Sequence, residues 1–166
     1  MGGNVLKLRT KGGVEMTSGN GTKAIAMAGL ACGVLDITAA LVVYGSMGLK
    51  PVRLLQGIAA GVLGPKSFQG GMGTALLGLA LHFVIAFGAA TVYFVASRGM
   101  RILVEQAALC GALYGIAVYF FMNRIVGPLS GATKFPFSVK MMMIGVVIHI
   151  FCVGLPIALS VRRFGR

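Results

Sequence analysis

Long apolar runs alternate along this chain with short breaks rich in glycine, lysine and arginine. Four runs, at about 24–44, 72–96, 102–122 and 140–161, approach or exceed the roughly 20 apolar residues that a membrane-crossing helix needs. A fifth apolar segment, 51–62, is different. Pro51 suits a first helical position, and Leu54, Leu55, Ile58 and Val62 recur at helical spacing. Twelve helical residues reach only about 18 Å, so this segment is expected to lie in the interface rather than span. Gly64-Pro65 ends it. The pattern predicts an all-α polytopic protein: four transmembrane helices as two hairpins, with one short interfacial helix.

In the first and third spans, small residues share one face. Gly29, Cys32, Gly33, Asp36 and Ala40 follow a three- and four-residue spacing in the first, and Gly111-x-x-x-Gly115 marks the third. Such faces let helices approach closely in lipid. Pro156 predicts a kink in the fourth span, and Gly127-Pro128 and Phe135-Pro136 mark 123–137 as a loop. Residues 1–23 carry Lys7, Arg9, Lys11 and Lys23 with no helical or strand period and read as a mobile basic tail, leaving 24–166 as one membrane domain. Met16 is an alternative start. Asn20-Gly21-Thr22 fits a glycosylation pattern, and Gly19-x-Gly21-x-x-Ala24 mimics a dinucleotide loop that no strand precedes.

Composition strengthens this picture. The chain has 166 residues, 57% of them hydrophobic, with a mean hydropathy of +0.92, against about 45–50% apolar residues in soluble domains. The net charge of +12 would suit nucleic acid if the cations shared a face; they lie instead in the breaks, which argues against that partner. The three cysteines, Cys32, Cys110 and Cys152, stand alone in apolar runs and form no disulfide or metal spacing. The tail, the 97–101 turn and the C-terminal arginines together hold nine Lys and Arg. The opposite breaks hold six: Lys50, Arg53, Lys66, Arg124, Lys134 and Lys140. The excess predicts that both termini are cytoplasmic. With no Trp in the chain, Tyr44 and Tyr93 are the expected interface anchors.

Candidate chemistry is confined to the middle of the spans. The only two histidines stand in matching contexts, Gly78-x-x-x-His82 and Gly145-x-x-x-His149, each inside an apolar run. Aligning Gly33-Val-Leu-Asp36 with Gly111-Ala-Leu-Tyr114, and His82 with His149, suggests a parallel duplication about an axis along the membrane normal. Asp36, His82, Tyr114 and His149 would then form one buried polar network, with Cys32 and Cys152 a turn away. Ionisable groups at this depth are costly and mark functional sites.

Three uses of that network follow from residue type. It can fix helix register in a small structural or accessory subunit of a larger membrane complex, whether with a membrane-protein partner or as a homo-oligomer. His82 and His149 can serve as axial ligands to haem b or another tetrapyrrole in an electron-transfer subunit, with a divalent metal on Asp36, His82 and His149 a lesser variant. In an oligomer the same groups can relay protons or ions. No nucleophile–base pair, second intramembrane carboxylate or phosphate loop is present, so no catalytic residue and no enzyme is expected. In span number, loop length and basic loops, the chain resembles the small four-span inner-membrane proteins of bacteria. That resemblance implies a plasma-membrane location and says nothing about activity.

Overall fold

A computed structural model describes residues 18–131 and 138–165, which are helical apart from short turns and connections, with no strand among them. Four helices are long and apolar enough to cross a membrane: the first span Ser18–Ser46, the second Gly71–Gly99, the third Ala107–Leu129 and the fourth Val139–Phe164. This is the all-α polytopic architecture that the apolar pattern predicts. The first span begins six residues earlier than its apolar run, because packing rewards the extension: a Cβ on Gly21 would stand 2.9 Å from the Phe94 ring. Residues 1–17, most of the expected mobile tail, lie outside the described residues.

The first span pairs antiparallel with the second, and the third with the fourth. Gly21, Gly29 and Gly33 face Phe94, Phe87 and Phe83 in turn, while Gly111 and Gly115 face Gly154 and His149. The first span packs on both the second and the fourth, so the row of helices runs second, first, fourth, third. Second and third spans, though joined by a tight turn, are bridged mainly by side chains. The Tyr114 hydroxyl donates to the Ala89 carbonyl at 2.8 Å, and the Tyr93 and Tyr114 rings meet edge to face at 5.0 Å. Between these spans lies an apolar groove of about 320 Å³.

Helix termini and breaks depart from the pattern for identifiable reasons. The third run, expected to be continuous from 102, opens with a separate turn, Ile102–Glu105, and breaks at Gln106 (φ −103°, ψ 42°). The carbonyls beside the break are taken by side chains: Leu103 accepts from the Tyr93 hydroxyl at 2.8 Å, and Ile102 from the Cys110 thiol at 3.6 Å. At its other end the helix runs past 122 through a wide π-turn, Met122–Val126, into Gly127–Leu129. Residues 123–129 are therefore helical rather than loop; 132–137 lie outside the described residues. A proline ring clashes with the carbonyl four residues back, and a wide turn relieves that clash. Pro156 is met the same way, by the π-turn His149–Gly154.

The short helix Pro51–Leu63 carries proline in its first turn, as expected. Its protein-facing side lies beside the apolar stripe rather than on it. Gln56, Ala59 and Ala60 are buried, while Val62 is 69% exposed. Small residues bring helices together in lipid, where large apolar groups gain nothing by leaving it. At the crossing the backbone of Leu55 lies where a Gly78 side chain would be, so only glycine fits. Gln56 Nε2 donates to the Gly71 carbonyl at 2.9 Å and the Thr74 hydroxyl to that of Ser67 at 2.6 Å, closing the corner.

The two ends of the bundle differ. At the tail end, Lys23, Arg98, Arg101, Arg162 and Arg163 gather where the first span begins and the second and fourth end. The loop end holds the short helix and the 127–131 turn, where the Gly131 amide donates to the Gly61 carbonyl at 3.1 Å. The buried core runs along the tail half, through Ala24, Ala28, Cys32, Ala90, Tyr93, Ala107, Ile157, Ala158 and Val161.

Candidate functional site

The polar side chains of the spans meet backbone more than one another. His82, half-buried in the second span, places Nε2 2.9 Å from the Gly33 carbonyl of the first. A carbonyl only accepts, so Nε2 carries the proton. The glycine makes the contact accessible: Phe83 and Ala86 occupy the space that a side chain at 33 would need. His149 is held differently. Its Nδ1 donates to Gly145 of its own helix at 2.9 Å, and its ring stands edge-on to Tyr119 of the third span at 5.3 Å.

The two Gly-x-x-x-His repeats thus serve different ends. Gly78 admits the backbone of the short helix; Gly145 admits the Tyr119 ring and supplies its carbonyl to His149. The histidines do share one feature, a glycine on the antiparallel neighbour: Gly33 opposite His82 and Gly115 opposite His149. That register lies one helical turn from the sequence alignment of Gly33 with Gly111. It sets Cys32, not Asp36, level with Tyr114.

Tyr114 spends its hydroxyl on Ala89, and so clasps the third span to the second. Asp36 is the exception. It is half-buried, lies within electrostatic range of Cys32 and Cys152, and has no hydrogen bond or ion pair among the described residues. It also marks a boundary. Ile37 is the last buried residue of the first span, and no described residue in 38–46, 116–131 or 138–148 is buried. The carboxyl therefore stands where the first, third and fourth spans pass from packed to open, while the second span stays packed on the short helix.

Among the described residues, no hydrogen bond joins any two of the four residues expected at one centre. No hydrogen bond or ring contact joins His82 to His149 among the described residues, and the second span approaches the fourth chiefly through Leu155–Phe164, beyond the His149 turn. With Nε2–H given to Gly33, His82 keeps its lone pair on Nδ1, and with Nδ1–H given to Gly145, His149 keeps its own on Nε2. Among the described residues, Asp36, His82 and His149 form no metal-holding cluster. The remaining cysteine, Cys110, lines the groove between second and third spans with Tyr93 and Tyr114. Tyr93, expected as an interface anchor, is instead buried and bonded to the broken turn at Leu103. No local pattern separates those two roles for a tyrosine near a span end. A scan against protein-family models, a search of curated proteins and a search of solved structures found no match to this chain.

Proposed function

We propose that this protein is a non-enzymatic accessory subunit of a membrane complex, which completes its packing against a partner span. One observation carries the reading. Asp36, the sole carboxylate within the spans, has no donor among the described residues at the level where the first and fourth spans open. A bare carboxylate at that depth costs several kcal/mol, roughly, and a donor from a neighbouring helix removes that cost. The open half supplies the surface. Val139, Met143 and Val147 stand 61%, 56% and 49% exposed along one side of the fourth span, and Val139–Ile148 touches the rest of the bundle mainly through Tyr119. The other polar groups bond carbonyls within the fold and serve as its clasps.

Blue-native electrophoresis of the full chain, extracted mildly from its own membranes, tests this. The wild type should migrate in an assembly larger than one protomer. Asp36→Leu should still insert but should release the protomer, and Asp36→Asn should retain part of the assembly. A wild type that migrates alone, or an assembly indifferent to Asp36→Leu, would defeat the proposal.

A further inference from the structure

The tail end carries a cationic corner that the packing of the bundle does not use. Phe94 of the second span is wedged between the first and fourth: Gly21 lies against its ring, and a Cβ on Gly165 would stand 3.4 Å from it. Phe164 lies at the same end. Around these two rings stand three cations from three spans. Lys23 Nζ is 5.6 Å from the Phe164 centroid, the Arg163 guanidinium 5.8 Å from the same centroid, and the Arg98 guanidinium 5.9 Å from that of Phe94. All three are exposed, and none has an ion pair among the described residues. Glu105 is the only carboxylate described at this end, and it makes no ion pair either.

A ring attracts a cation without neutralising it. The rings therefore fix where three positive charges sit while leaving their outward sides unsatisfied. Phe94 is only 9% exposed, so that platform is held by the bundle. The charges also sit where the spans end, the depth of lipid headgroups. Guanidinium groups bind phosphate oxygens through paired hydrogen bonds, and lysine adds a point charge. We infer that this corner binds the phosphodiester headgroup of an anionic phospholipid from the adjacent leaflet. The lipid chains would run down the apolar outer faces of the second and fourth spans, where Val95 and Leu159 stand 61% and 48% exposed. Such a site is independent of the accessory-subunit reading.

Native mass spectrometry of the full chain, released from vesicles containing phosphatidylcholine and phosphatidylglycerol, reads the site directly. The wild type should retain phosphatidylglycerol in preference. The triple variant Lys23→Gln, Arg98→Gln, Arg163→Gln should lose that preference by on the order of tenfold to a hundredfold, as expected for three cations near a lipid surface. Its helical circular dichroism should be unchanged. A control variant at the loop end, Lys50→Gln, Arg53→Gln, Lys66→Gln, should keep the preference. Equal loss in both variants, or no loss in the first, overturns the site. Complete displacement of the lipid by inorganic phosphate would overturn the lipid assignment, because the corner would then be reading a soluble anion.

Discussion

The two halves of the first and fourth spans, divided at the level of Asp36, are built from different material. Toward the tails, the first span presents Ala24, Ala28, Gly29, Cys32 and Gly33, all buried, and the fourth presents Gly154 and Ala158. Toward the loops, the same spans offer Leu41, Val42, Val43, Met142 and Met143, none of them buried. Both stretches are apolar, and hydropathy does not separate them. Lipid tails are as apolar as leucine, so no hydrophobic force gathers large side chains together. What gathers helices is close backbone contact, and only small residues permit it. The lesson is that in this chain the small-residue seam, not apolarity, decides where the bundle is closed.

Substitutions at the seam should break this contrast most severely. Gly154 lies so close to Gly111 and Gly115 that any side chain there meets backbone. Gly154→Leu should cost about 3 kcal/mol or prevent folding, read from unfolding in mixed detergent micelles. At the open end, a Cβ added to Gly45 would meet nothing within 4 Å. Gly45→Ala should raise stability by about 0.5 kcal/mol through helix propensity alone. Equal effects at the two sites would refute the division.

Intermediate effects are expected where side chains clasp spans across the seam. Tyr114→Phe removes only the bond to Ala89, and His82→Leu the bond to Gly33. Each should destabilise by about 0.6 kcal/mol, the average for such contacts in a membrane bundle, with an upper bound near 1.7. Losses several times larger would mean that these groups hold more than one carbonyl each.

The smallest effects belong to the open half. Met143→Ala and Val147→Ala should change the stability of the isolated protein by less than about 0.5 kcal/mol, since both side chains face outward. In the proposed assembly, the same substitutions should weaken association. A large loss in the isolated protein would show that this half is packed after all.

Span number and helical class were legible from the sequence, because both rest on the local length and hydropathy of apolar runs. The prolines were legible as disturbances; that Pro128 and Pro156 would be preceded by π-turns depended on the neighbours that hold those turns in place. The histidines mark the limit. Their matching sequence contexts suggested one shared site, yet Gly78 was claimed by the short helix and Gly145 by Tyr119.

The sequence by itself determined that this is a four-span helical membrane protein with basic ends and a single carboxylate deep in a span, since hydropathy and charge act residue by residue. Only the tertiary structure decided which face of the short helix is buried, which carbonyl each ring holds, and that Asp36 has no donor among the described residues. Those outcomes depend on the order in which spans pack. That order is set by interlocking backbone surfaces, which no single stretch of sequence contains.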